Sequence, residues 1–162
     1  MRAPDPPEGP RFVRVAASVD VPFPEPTSAS ASAIGRANRR TDTQLEVALR
    51  SALHARGLRF RKDHLVRAGE TKARVDLCFT RARVAVFVDG CFWHVCPQHH
   101  HAPKSNSGYW GPKLQANIDR DRRVTAAFLG DGWAVARCWE HEDPMAAADR
   151  IEVLVRGRSV RR

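Results

Sequence analysis

Arg83-Val84-Ala85-Val86-Phe87-Val88-Asp89-Gly90-Cys91-Phe92-Trp93-His94 decides how this chain folds. From Val84 to Val88 every residue is apolar, so a strand there has two faces to cover and belongs inside a sheet. The residues after it, through Val95-Cys96-Pro97-Gln98-His99-His100-His101, include two of the four cysteines and all but three of the seven histidines. Asp89 and the adjacent rings of Phe92 and Trp93 share the segment. Three uses suit such a run: a structural metal site, a hydrolytic centre, and an aromatic wedge able to enter stacked bases.

Working outward, Leu45, Ala48, Leu49, Ala52 and Leu53 recur at helical spacing. Thr43-Gln44-Leu45-Glu46 fits a capping box at the start of that helix, and Gly57 ends it. Leu58 and Phe60 alternate with Arg59 and Arg61, predicting a short strand with a basic face. Residues 73–79 form a clearer strand, with Val75, Leu77 and Phe79 on one face. Downstream, Pro112 opens a long helix that ends near Gly130. Leu114, Ile118, Thr125 and Phe128 line its inward stripe, and Asn117 and Asp121 fall on or beside it. An inward carboxylate costs free energy unless it is paired, protonated or metal-linked. A strand over 133–138 follows, and Asp143-Pro144 caps a last helix containing Met145, Ala148, Ile151 and Val155. The order α-β-β-β-α-β-α predicts one α/β domain over residues 39–158, a central mixed sheet flanked by helices. Residues 1–38, with Pro4, Pro6, Pro7, Pro10, Pro22, Pro24 and Pro26, read as a disordered basic tail in loose contact with phosphates.

The chain has 162 residues, with 27 Lys and Arg against 18 acidic residues, a net charge of +9. Such an excess favours a polyanionic partner, nucleic acid first. No apolar run is long enough to span a bilayer, and no signal-peptide pattern opens the chain. The expectation is a cytoplasmic protein whose thiols stay reduced, so the cysteines read as core residues or metal ligands.

Cys91, Cys96 and His99 form C-x4-C-x2-H. Structural zinc takes thiolates and imidazoles in a closed tetrahedron, which requires a fourth ligand. His141, beyond the strand at 133–138, is the first candidate. Cys138 competes, but strand alternation groups it with Ala134 and Ala136 as a core residue. His100 or His101 could replace His99. Buried cysteines beside a solvated histidine run are the plainer alternative, yet Pro97 and Gln98 mark a loop, where burial explains cysteines poorly.

Asp76, Asp89 and His94 could gather at one end of the sheet. Phosphodiester hydrolysis uses divalent cations to neutralise phosphate and activate water. Mg²⁺ prefers carboxylate oxygens and keeps several of its waters. Asp76 suits a direct ligand and the Val88 carbonyl a second. His94 could take a proton from water, with Asp121 orienting its ring. Plainer roles exist: Glu46 in its capping box, Asp121 beside Arg120, Arg122 and Arg123, and His94 on zinc.

Together these residues resemble the very-short-patch repair (Vsr) mismatch endonucleases, from about Ser32 to about Glu142. The resemblance lies in Asp42-Thr43-x-x-Glu46, Leu58-Arg59-Phe60-Arg61, Val75-Asp76-Leu77 and Phe87 through His94. It continues through Tyr109-Trp110, Asn117-x-x-Arg120-Asp121, and Gly132-Trp133 leading to Trp139-Glu140. It implies a restriction-endonuclease-like fold with one structural zinc. It also implies a nick in one strand of double-stranded DNA, 5′ to the thymine of a T:G mismatch, using one or two Mg²⁺ ions. On it, Asp76 is the metal-binding aspartate and Glu46 an acidic residue reaching the ion through water. His94 is the catalytic histidine and Asp121 its carboxylate partner. Phe92 and Trp93 insert beside the mismatch, with Lys104, Asn106 and Trp110 as further DNA contacts. The chain departs from the pattern at Asp89, where the family has His; a carboxylate there can bind Mg²⁺ directly. The family's His run before the second cysteine is shortened to Val95-Cys96, which moves a zinc ligand to His99, and its last zinc cysteine falls at His141. The proline before the metal aspartate is Val75. The expected protein is a monomer that repair proteins can join. A restriction-like nuclease of other specificity, or an inactive zinc-stabilised DNA-binding module, are the alternatives.

Overall fold

A computed structural model describes residues 43–99 and 107–159. The elements are α1 (Gln44–Ala55), β1 (Arg61–Ala68), β2 (Thr71–Phe79), β3 (Val84–Asp89), α2 (Ser107–Gly130), β4 (Ala134–Trp139) and α3 (Pro144–Ser159). The four strands lie in the order β1-β2-β3-β4. β1 and β3 run antiparallel to β2, and β4 runs parallel to β3. The sheet is mixed, as expected, and α2 makes the crossover between its parallel pair.

β3 is interior because its faces serve two cores. Val84 and Val86 face Leu49, Leu53 and Leu77, with Ala148 and Ile151 from α3. Ala85 and Phe87 face Val66, Val75 and Phe128, the last from α2. Helices α1 and α3 pack on each other and cover one face, while α2 covers the other. Cys138 is fully buried in the first core near Ala134 and Ala136, as strand alternation predicts. No described helix is long and apolar enough to cross a membrane.

The ends of the helices follow from local chemistry. Thr43 Oγ1 accepts the Glu46 N–H at 3.3 Å and so caps α1. Gly57 (φ +75°) closes it, with the Leu58 N–H reaching the Leu53 carbonyl at 3.0 Å. Gly132 (φ +77°) closes α2 in the same way, through the Trp133 N–H and the Phe128 carbonyl at 2.9 Å. The Asp143 carboxylate caps α3 through the Ala146 N–H at 2.8 Å, with Pro144 in the first turn.

Several expectations need correction. The strand expected at Leu58–Arg61 begins only at Arg61 and runs to Ala68. Leu58 and Phe60 are instead apolar anchors of the connection, Phe60 stacking on His54 at 4.6 Å. Helix α2 starts at Ser107, so Pro112 lies within its second turn rather than opening it. Met145 is 53% exposed and takes no part in the core. Val75, Leu77 and Phe79 are all buried, yet Val75 belongs to the α2 side and the other two to the opposite core. The face changes at Asp76, between them. The tail expected at 1–38 and the residues Asp42, His100, His101, Lys104 and Asn106 lie outside the described residues.

Phe128 is fully buried and makes edge contacts with Phe87 (5.9 Å) and Trp133 (5.8 Å). Phe128→Ala is expected to lower stability by about 3–5 kcal/mol, read as a shifted urea midpoint at constant slope. A loss under about 1 kcal/mol would refute this packing of α2 on the sheet.

Candidate active site

The site begins where the sheet comes apart. β2 and β3 pair at Phe79–Val84, Cys78–Ala85 and Leu77–Val86 and no further. One step beyond, the Val88 N–H donates to Asp76 Oδ2 at 2.7 Å. The β1–β2 register also skips the Asp63–Asp76 position, where Asp63 has φ +45°. Asp76 is thus a mid-strand carboxylate turned into an opening. Burial pushes its carboxyl from 3.8 up to about 6; the Val88 N–H opposes the rise, Glu46 and Asp89 add to it, and Arg137 opposes it. Glu46 is 7% exposed, and its Oε1 accepts from the Thr43 hydroxyl at 3.1 Å.

At the end of β3, Asp89, His94 and Asp121 bring ligand atoms within 4.8 Å of one another. His94 Nδ1 lies 2.5 Å from Asp121 Oδ2 and 3.5 Å from Asp89 Oδ1. Burial acts to raise the Asp121 carboxyl, but the His94 hydrogen bond and the Arg137 charge outweigh it and hold it below the usual range. The inward carboxylate of α2 is therefore a paired one. Asn117, one turn earlier, donates to the Trp93 carbonyl at 3.0 Å and ties the loop to the helix.

That loop is a single helical turn. His94 N–H reaches the Gly90 carbonyl at 3.1 Å, and Cys96 N–H reaches the Cys91 carbonyl at 2.9 Å. Val95 (φ +55°) holds the left-handed position that glycine usually fills in such a closure. Glu140 secures the base of the loop: its Oε1 accepts from Cys91 N–H at 2.7 Å, and its own N–H reaches the Asp89 carbonyl at 2.9 Å. The turn lifts Phe92 and Trp93 against Trp110 of α2, with ring centroids 5.1–5.7 Å apart in tilted and edge-on pairs. All three rings are partly exposed.

The cysteines stand behind the loop. Cys91, Cys96, His99 and His141 bring their donor atoms within 4.8 Å of one another. Cys91 Sγ is 3.0 Å from His141 Nδ1, and Cys96 Sγ is 3.8 Å from the same nitrogen and 3.9 Å from His99 Nδ1. A tetrahedron with ordinary zinc–thiolate and zinc–imidazole bonds has edges of about 3.4–3.8 Å; the separations of 3.0–3.9 Å bracket that range, and two thiolates with two imidazoles are a donor set that ion takes. Burial and then the neighbouring Cys96 push the Cys91 thiol up to about 12, a cost that a bound cation would reverse.

The family model for the DNA mismatch endonuclease Vsr matches residues 26–102. The type II nicking enzyme V.NaeI of Lentzea aerocolonigenes is 51% identical over 122 residues, which cover 75% of this chain and 74% of that one. The chain belongs to the Vsr family. The nicking enzyme V.XorIIP of Xanthomonas oryzae is 41% identical over 106 residues, 64% of this chain and 74% of its own. The DNA mismatch endonuclease Vsr of Escherichia coli is 34% identical over 110 residues, 65% of each chain. This Vsr-family chain is accordingly a DNA endonuclease, hydrolysing phosphodiester bonds, with a mixed α/β fold of the restriction-endonuclease-like kind.

Among the expected site residues, Asp89, His94 and Asp121 assemble in one group and Cys91, Cys96, His99 and His141 in another. Asp76 does not join the first trio; it stands at the sheet opening beside it. Sequence reasoning missed Arg137, the guanidinium among these carboxylates, and the fastening role of Glu140. A charged residue in the otherwise apolar Ala134–Cys138 run was the signal for the first.

Asp76 bears on stability. Its folded value lies above the ordinary one, so its contribution is complete below pH about 4 and lost as pH rises through about 6. Asp76→Asn keeps an acceptor for Val88 and sheds the buried charge. At pH 8, without divalent cations, it is expected to be more stable than the parent by about 1–2 kcal/mol, allowing for partial exposure. The gain should vanish near pH 4 in chemical denaturation; a variant less stable at pH 8 would refute the buried-charge account.

Proposed function

We propose that this endonuclease nicks one strand of double-stranded DNA 5′ to the thymine of a T:G mismatch, with Mg²⁺ bound through Asp76 and the Val88 carbonyl. One observation carries the reading: a histidine–carboxylate pair, His94 Nδ1 to Asp121 Oδ2 at 2.5 Å, sits with Asp89 and Arg137, whose charges act on a half-buried carboxylate, Asp76, at a break in the sheet. Mg²⁺ supplies neutralisation of the phosphate and activation of water. The protein's own groups do the rest. Asp121 keeps Nδ1 of His94 protonated and the ring oriented, which leaves Nε2 to accept the proton of the attacking water. The water oxygen bonds to phosphorus as the P–O bond to the leaving sugar breaks. Glu46 adds negative charge that favours a cation at Asp76 and can hold its outer water.

The mismatch preference rests on Phe92, Trp93 and Trp110. Three half-exposed rings, packed in tilted and edge-on pairs and anchored by a tight turn, suit insertion at a step that is cheap to unstack. The similarity to the DNA mismatch endonuclease Vsr of Escherichia coli supports the same preference. Cys91, Cys96, His99 and His141 would hold a structural zinc, which would brace the turn from which the rings and His94 project.

The deciding experiment compares nicking of a T:G duplex with a T:A control, with Mg²⁺, for the parent and Asp76→Asn. The parent should nick only the mismatched strand and the variant neither duplex. Equal cleavage of both duplexes would remove the mismatch preference, and an active Asp76→Asn would overturn the site. His94→Ala should lower kcat about 10²- to 10⁴-fold.

Metal analysis tests the cluster separately. About one zinc per chain is expected, lost in Cys91→Ser together with several degrees of melting temperature. Zinc-free protein with an unchanged melting temperature would refute the structural role.

A further inference from the structure

We propose that Arg137 is a positioning residue for the His94–Asp121 pair, and that Asp89 is its counter-charge rather than a ligand of the divalent ion. The inference rests on the reading of His94 and Asp121 as the proton-handling pair.

Arg137 engages partners through all three of its guanidinium nitrogens. Nε donates to Asp89 Oδ2 at 2.6 Å and Nη2 to Asp89 Oδ1 at 2.7 Å, a two-point fork. Nη2 also lies 3.3 Å from Asp121 Oδ1. Nη1 reaches Thr125 Oγ1 at 3.3 Å and the Asp121 carbonyl at 3.5 Å. Four hydrogen bonds and an ion-pair contact thus engage all three nitrogens of the guanidinium. The group lies over the Phe87 ring, 5.2 Å from its centroid.

The topology explains the reach. Arg137 is paired with Phe87 across the parallel β3–β4 ladder, two residues short of the level of Asp89. From there it crosses to α2. It therefore holds the sheet end and the helix at a set separation, grasping Asp121 by its backbone and by Oδ1. The other oxygen of Asp121 holds His94 Nδ1. Lysine, with one point charge, cannot make this double fork.

The same fork occupies both oxygens of Asp89, which is only 4% exposed. To bind a cation, Asp89 would have to leave a mostly buried guanidinium without its principal partner, a costly exchange. Asp76 has no such commitment; it accepts from a backbone N–H, that of Val88. By ligand type the Asp89, His94 and Asp121 group looks like a cation site, but a cation, Arg137, already stands within it.

Two measurements test this on the full chain. In the first, steady-state nicking is measured for Arg137→Ala and Arg137→Lys. Both should lose about 100-fold in kcat with KM for DNA within about threefold, since a small misplacement slows chemistry more than binding. Guanidinium chloride at tens of millimolar should restore about tenfold or more of kcat to Arg137→Ala, and ammonium chloride should not. A loss confined to KM, or no rescue of a folded variant, would overturn the positioning role. In the second, Mn²⁺ binding is followed by calorimetry, which requires neither activity nor a substitution at Arg137. Asp89→Asn should bind within about threefold of the parent, and Asp76→Asn should lose binding. Equal loss in both variants would make Asp89 a ligand and overturn the proposal. If the parent nicks no duplex, the proposed function fails, while the Mn²⁺ comparison still decides the part of Asp89.

Discussion

The Val88 N–H is bonded to a side-chain carboxylate at the point where the β2–β3 ladder stops. Everything chemical in this protein depends on that exchange. It turns Asp76 away from an ordinary strand alternation, so that Val75 packs under α2 while Leu77 packs under α1 and α3. It leaves β3 free to end in a tight turn rather than a hairpin. The turn, with its rings and histidine, follows directly from the end of that strand.

Such an opening is costly, and the cost is distributed. Asp76, Asp89 and Glu46 are a cluster of like charges in a poorly solvated region, and the raised Asp76 carboxyl is its direct expression. One guanidinium, Arg137, answers two of the surrounding carboxylates. Val95 adds backbone strain of about 1 kcal/mol in its left-handed conformation. Two apolar cores, on opposite faces of β3, supply the stability against which these local costs are set.

What could be read from sequence follows from how local each feature is. β3 was legible because five apolar residues in a row admit little but an interior strand. The helix caps were legible because caps are short-range. β1 was misplaced because an edge strand buries little: within it only Val66 and Ala68 lie inside, so its pattern is weaker than that of the Leu58–Phe60 anchors before it. The cysteine–histidine group was nearly complete within one loop, and His141 needed only the guess that β4 ends beside β3. Arg137 was legible only as a lone charge in an apolar run, with nothing to say what it meets. Between Ala136 and Cys138 it reads as an outward residue of a strand, and only the strand order puts it beside Asp89.

The parallel pairing of β3 with β4 also orders events in time. Asp76, His94 and Asp121 are all present once the chain is synthesised past α2. The partners that fix them come later: Arg137, then Glu140 against Cys91, then His141 against both thiols. The Glu140 and His141 contacts to Cys91 close loops of some fifty residues, the slow kind of closure in folding. A half-made chain therefore holds the cutting residues without the geometry that joins them. Assembly of the cutting site is thereby tied to the arrival of β4 and the residues just after it.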